Sequence, residues 1–457
     1  MRTDSVLRVM TTIVLAMSPL ALPRAASAQR SAASDRPPTF TRDVAPIFQA
    51  NCEVCHRPGN IGPMSLMTYE EARPWVRSIK AKVISGAMPP WHLDKGVGIQ
   101  KFINDRSLSD AQIDTIVGWI DAGAPRGDMK DMPAPKQWPG GDRFFLEDQL
   151  GPPDLVVRAK PFTMPGQGAD LYFEAEVDLP LTEPRWVRAT ETKPSLAGRR
   201  IAHHANTWLI RPQTPEAIAA ERGARSGQAG AQLVMAERIE KEGFSEWAQG
   251  KGGEIFPEHV GKLVMPGTKV YFRMHYHAVG EAVTDTLEMG WWFHPKEKTP
   301  RYSADYVTLG GGGAIEIPPN TVTEHQGMTV LKAPTIFHNF QPHMHYRGKV
   351  QTLEAIYPDG RREIVNQVSR FDNAWHINYI YDPDHAPIFP KGTVLIVTSI
   401  HDNTANNKNN PDPRQWVIWG ERTVDEMAHL NQQLIYITDE DYRRIVEERK
   451  KKPSAQH

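Results

Sequence analysis

Val270-Tyr271-Phe272-Arg273-Met274-His275-Tyr276-His277 carries apolar side chains at its even positions and mostly polar ones at its odd positions, the period-two pattern of a strand with one covered face. Read as a strand, it puts His275 and His277 on the face opposite Phe272 and Met274. Similar short alternating runs at 170–177, 263–276, 350–357 and 393–399 are separated by frequent Pro and Gly turns. Everything after Gly151 therefore has the texture of an all-β sandwich fold.

At 457 residues the chain exceeds a single ordinary core, and three domains are expected. Its formal net charge is −1 with acidic and basic residues mixed along its length, which argues against nucleic acid as a partner. Arg2 and Arg8 precede an apolar stretch over 9–22, and Ala26-Ser27-Ala28 closes it, so residues 1–28 read as a Sec signal peptide. The expected location is periplasmic or secreted. The apolar stretch is short for a bilayer, no later run is long enough, and no membrane span is expected. Only Cys52 and Cys55 are available, so disulfides cannot frame the fold; packing and bound metals must do so.

Those two cysteines lie in Cys52-Glu53-Val54-Cys55-His56, the pattern for a covalent haem c: two thiols three apart reach the vinyl groups and the histidine is aimed at the iron. A structural disulfide or a thioredoxin-like pair is the competing reading, and the adjacent histidine and export signal favour haem. Met64, Met67 and Met88 are candidates for the sixth ligand. Met88 is preferred because Gly86-Ala87-Met88-Pro89-Pro90-Trp91 holds an extended chain and resembles small cytochrome c domains ending in Met-Pro-Pro-Trp. Helical patterns at 41–48, 69–84 and 110–122, the last behind a Ser109 cap, give a small all-α haem domain over 36–130. The Pro, Gly and Lys-rich stretch 132–142 reads as a linker.

Most of the seventeen histidines fall in the β region, in three groups. His203 and His204 are adjacent, so on an ideal strand they point to opposite faces and could share a metal only at a bend or bulge. His275 and His277 form the second group, either of which could complete a three-histidine site. His343-Met344-His345 places two imidazoles at i and i+2, a spacing suited to chelation, and the thioether of Met427 would complete a set that suits Cu(I). His259, His294, His325, His338, His376 and His385 read as surface or satisfied histidines, and 401–407 as an Asx-rich surface loop. Gly310 to Gly313 reads as a flexible turn.

In order and spacing, Thr163-Met164-Pro165, the His203-His204 pair, Met274-His275-Tyr276, His343-Met344-His345 with Gly348-Lys349, and Asp425-Glu426-Met427 resemble the copper type II, ascorbate-dependent monooxygenases, the peptidylglycine and dopamine hydroxylase kind. The resemblance covers roughly 150–440. It implies two jelly-roll-like β-sandwiches, at 150–298 and 299–445, each holding one copper ion across a wet cleft. It implies an electron-transfer copper on His203, His204 and His275, and an oxygen-binding, catalytic copper on His343, His345 and Met427. The implied activity is hydroxylation of an unactivated C–H bond of a small organic substrate with molecular oxygen. Electrons would come from ascorbate or another one-electron reductant, or from a periplasmic donor through the haem.

The chain departs from the family where peptidylglycine enzymes hold the substrate's carboxylate: Gln341, and His429 with Asn431, stand at those positions. The family's disulfides are absent as well. Two other classes compete with the enzyme: a haem and copper electron-transfer protein, and a copper-binding protein without oxygen activation. A zinc hydrolase is a further alternative; Met427 and the want of a carboxylate paired with the His343 strand argue against it.

Overall fold

In the computed structural model the described residues are 36–451, apart from 59, 61, 139–141, 237, 249–250 and 312–313. The signal-peptide stretch and Gly312 and Gly313 lie outside them. Pro38–His457 makes one compact unit; Met1–Pro37 makes another, of which only Arg36 and Pro37 are described. The chain is mostly β-sheet with a few short helices. No helix among the described residues is long and apolar enough to cross a membrane.

The helices are concentrated before residue 132. Ala45–Asn51, Val76–Ile84 and Asp110–Asp121 bury Phe48, Ile79, Val83, Ile116 and Trp119 in one small core. Ser109 starts the last of them as the sequence suggests, in a reciprocal cap with Gln112. Pro74 interrupts the 69–84 pattern, which divides into Tyr69–Ala72, a tighter turn and Val76–Ile84.

Residues 91–104 leave this helical core and pack on the β region. Leu93 bridges to Val368 and Phe102 to Tyr381, and the Trp91 ring lies 4.6 Å from that of Tyr379. The described part of the 132–142 stretch is likewise held down. Trp138 donates to Glu53 Oε2 at 3.1 Å and lies under the Arg57 guanidinium.

Three sheets make up most of the β region. One four-stranded antiparallel sheet has the order Leu171–Asp178, Lys269–Tyr276, Ala202–Ile210, Lys241–Ala248. A second runs Val322–Val330, Val394–Asp402, Gly348–Ile356, Arg362–Val368. The third is an eleven-stranded sheet spanning both halves. Its continuity through residue 300 comes from Tyr302–Gly310, which pairs in parallel with Val260–Val264 and antiparallel with His429–Tyr436. Each four-stranded sheet packs an apolar face on part of this long sheet. Phe272, Met274 and Ala205 meet Val187, Met289 and Trp291 in one core; Leu353, Val397 and Val365 meet Phe337, Leu430 and Leu434 in the other. The burial pattern of Lys269–Tyr276 has Val270, Phe272 and Met274 inside, as its sequence requires.

Candidate metal centre

His203 and His204 do sit at a bulge. The register between Ala202–Ile210 and Lys269–Tyr276 shifts between Ala202 and His204, so the extra residue, His203, lets both imidazoles turn to one side. His275 stands opposite His204 on the neighbouring strand. The three ring centroids lie 5.2 to 5.3 Å apart, and one ligand nitrogen from each falls within 4.8 Å of the others. The strand ends at Tyr276, which puts His277 outside this group, its amide bonded to the Ile201 carbonyl. Of the two candidates on that face, His275 is the one that joins.

The nitrogens not turned to the centre of the group are partly fixed. His275 Nε2 meets Asp170 Oδ2 at 3.0 Å and His204 Nδ1 meets Asn206 Oδ1 at 3.1 Å. His275 Nδ1 and His203 Nδ1 are buried with no hydrogen-bond partner. Ring nitrogens pinned on one side and orphaned on the other are what a metal ligand presents. Burial pushes His203 down to about 4 and His204 well below the usual imidazole range, so both are neutral near pH 7 and keep a lone pair.

His343 ends the strand Asn339–His343, and His345 lies beyond it, so the two do not share a strand face as their spacing suggests. Their rings are 5.4 Å apart. The turn that carries His345 is clamped by buried Glu426, whose carboxylate accepts from the His345 and Arg347 amides at 3.0 and 2.6 Å. His345 Nδ1 meets the Asp425 carbonyl at 3.1 Å. Met427, half-buried, follows directly and takes the His401 ring on its carbonyl. The Asp425-Glu426-Met427 segment is thereby held against the His343-to-His345 turn.

His343 has another set of neighbours. Its Nδ1 lies 2.9 Å from His376 Nδ1, and His343, His376 and Glu246 form a second group with ligand atoms within 4.8 Å of one another. His376, read from sequence as a satisfied or surface histidine, is 4% exposed and belongs to this cluster. Its ring also touches those of His203 and His204, 5.6 Å from each, so the two groups are contiguous. Glu246 Oε2 accepts from Gln341 Nε2 at 2.8 Å and Asn431 Nδ2 at 3.0 Å, two of the three residues that stand at the resembled family's substrate-carboxylate positions. The expected want of a carboxylate near the His343 strand is thus overturned: Glu246 reaches it from the opposing sheet. Burial pushes this acid up to about 7.

The 401–407 stretch is a correction too. His401, Asn403 and Asn407 are buried, and Asn403 Oδ1 accepts from Arg347 Nε at 2.9 Å. The Asx-rich turn chemistry favours a surface loop over a segment lining the cleft, whereas long-range packing turns these side chains inward. By contrast His259 and His385 are exposed, and His294 is satisfied by the Val260 carbonyl at 2.8 Å.

In the helical region His56 Nδ1 meets the Met64 carbonyl at 3.2 Å, which leaves Nε2 as its ligand atom. Cys52 and Cys55 are free thiols on one turn, the Cys55 and His56 amides both bonding the Cys52 carbonyl. Met64, Met67 and Met88 are all half-buried. A cavity of about 460 Å³ opens beside Cys55, with Arg57, Arg106, Lys136 and Arg199 among its lining cations. Trp247 and Trp375 form part of its wall, and their chain neighbours are Glu246 and His376.

No family model and no curated protein matches the sequence. Among solved structures, a Paenibacillus xanthan lyase is similar at 9% identity over 69% of this chain, with a TM-score of 0.15. This chain covers 28% of that one, and a likeness this slight carries no argument.

Proposed function

We propose that the chain is a copper-dependent monooxygenase that hydroxylates a C–H bond of a small organic substrate with molecular oxygen, fed with electrons through a thioether-bound haem. The reading takes 36–130 as a cytochrome c-like module and 150–298 and 299–445 as two copper sandwiches, in an exported protein. The observation that supports it most directly is the convergence of His203, His204, His275, His343, His345 and His376 on one buried place with their rings neutral.

Copper held by such imidazoles supplies one-electron redox chemistry and oxygen activation, and a haem c supplies single electrons. The chain's own residues do the rest. Asp170 and Asn206 hold His275 and His204 in the ring orientation that leaves one nitrogen facing inward. Burial keeps the imidazoles unprotonated, so ligation near neutral pH needs no proton release. Glu426 fixes the turn that carries His345, Met427 follows it in the chain, and His343, His345 and Met427 are the ligands this reading gives the second copper. The cations around the Cys55 cavity suit the two carboxylates of a haem. Trp375 and Trp247 line that cavity and are one residue along the chain from the cluster residues His376 and Glu246.

Glu246 favours one other reading, because two histidines and a glutamate are also a hydrolytic zinc set. The experiment is metal analysis with paramagnetic resonance on protein matured in a periplasm. Two type II coppers per covalent haem, reoxidised by oxygen, are expected. Zinc in their place would make the protein a hydrolase. Coppers that stay reduced in air would make it a carrier of electrons.

A further inference from the structure

Glu246, His343 and His376 come from three distant stretches of chain, and all are nearly removed from solvent, at 3%, 7% and 4% exposure. Two features of the group point to an ion. A buried carboxylate is costly unless a cation compensates it, and His376 Nδ1, 4.0 Å from Glu246 Oε1, is too far to donate a hydrogen bond to it. Lys251, close enough to favour the charged acid, is already paired with Glu254 at 2.8 Å. The second feature is the spacing of the nitrogens. His343 Nδ1 and His376 Nδ1 are 2.9 Å apart, an N–H···N hydrogen bond in the metal-free chain, and an ion taking the place of that proton would meet both nitrogens and the Glu246 carboxylate within 4.8 Å of one another.

We infer that Glu246, His343 and His376 bind a divalent copper ion in a carboxylate-containing site that abuts the His203, His204 and His275 site, so that the two metals form one coupled pair. It rests on the copper reading above but not on the reaction proposed there, and it replaces His345 and Met427 by Glu246 and His376 as the partners of His343 at the second copper. In this arrangement His343 serves the Glu246 site, and Met427 is a neighbour rather than a ligand. Gln341 and Asn431 are positioning residues, holding Glu246 Oε2 so that Oε1 faces His376. The pair needs no electron transfer across an open cleft, because His376 already touches the rings of His203 and His204.

The test counts copper and measures its paramagnetic resonance in the full exported chain after loading with Cu(II) alone, without substrate. Wild type should bind two ions whose integrated signal falls below the copper count, because nearby spins couple. His376→Ala and Glu246→Gln should each lose one ion and restore a full, uncoupled signal from the other, and Met427→Ala should keep both ions and the coupling. Thermal unfolding of each variant in chelator separates ligand loss from misfolding, and Gln341→Leu provides a milder change expected to weaken the second ion about tenfold or more. The inference is overturned if Met427→Ala loses an ion while His376→Ala and Glu246→Gln keep two. Two uncoupled ions in wild type, or a single ion removed by His203→Ala, would overturn it as well. A two-copper protein inert toward oxygen would refute the monooxygenase and leave this site standing.

Discussion

Lowering the pH from 8 to 5 in the presence of a chelator should destabilise the metal-free protein by roughly 4 kcal/mol or more. Burial holds His203, His338, His345 and His401 down near about 4, against an ordinary 6.5. A histidine whose folded pKa is depressed binds its proton more readily in the unfolded chain, so stability is lost as pH falls from 6.5 toward 4. At pH 5 each of the four has lost ~2 kcal/mol relative to pH 8. Lys262, pushed down to about 7 by burial, acts in the same direction by ~1 kcal/mol over that range.

Glu246 and Glu426 oppose this. Burial raises both to about 7, so they take up protons in the folded state first, and each regains roughly 2 to 3 kcal/mol on the way to pH 5. The histidines prevail because more of them are buried and His204, His343 and His376 lie well below the usual range too. Urea unfolding monitored by tryptophan fluorescence across the pH range measures the effect. Copper should flatten the profile down to the pH at which protons displace it, since ligated nitrogens cannot protonate. An unfolding free energy that stays constant or rises between pH 8 and 5 without metal would refute the reasoning.

Asp170→Asn should weaken copper at the three-histidine site by about 10- to 100-fold with little change in fold stability, read by competition with a chelator of known affinity. Gly98→Ala should destabilise the fold by about 2 kcal/mol or more in urea unfolding: Gly98 has φ +62°, and an added Cβ would lie 2.0 Å from the Val365 carbonyl. Replacing both Cys52 and Cys55 by serine should abolish covalent haem, seen as loss of the haem stain on a denaturing gel, while leaving the copper count unchanged. Trp375→Leu should slow the anaerobic oxidation of reduced haem by cupric centres at least severalfold while leaving metal content intact.

The strands and the first metal group were legible because their signals are local. Alternation in 270–277 reads directly as the covered strand Lys269–Tyr276, and the bulge that adjacent His203 and His204 would need in order to share one metal is present in the structure. Periodicity could not choose between His275 and His277, which share a face; the end of the strand decides. Nor could it show that the strand of His343 stops there, leaving His345 to a turn whose anchor is Glu426, 81 residues away. His376 and Glu246 were invisible for the same reason. Neither belongs to a metal-ligand motif, His376 standing alone in Trp375-His376-Ile377, and only tertiary packing brings them within reach of His343. The one sequence sign available was an acid inside the run Phe244-Ser245-Glu246-Trp247, in a strand otherwise fit for burial. Residues 91–104 were misleading in the opposite sense: their helical neighbours suggest a helical module, but Leu93 and Phe102 belong to a β core.

The position of the cluster follows from how the sheets meet. Strand Lys241–Ala248 of the first four-stranded sheet faces Asn339–His343 and His429–Tyr436 of the long sheet across a seam that is polar rather than apolar. Gln433 donates to the Phe244 carbonyl at 3.2 Å, and Gln341 and Asn431 donate to Glu246. A seam of this kind gives little stability by burial, and each of its groups is satisfied only when its partners are in register. It defines one alignment of the two sheets and tolerates few others. Three imidazoles rise from one side of that alignment, and His343 and His376 come from the other. Registry set by amide and carboxylate pairs is therefore what holds the nitrogens at ligand spacing, and sequence motifs on either side could not have reported it alone.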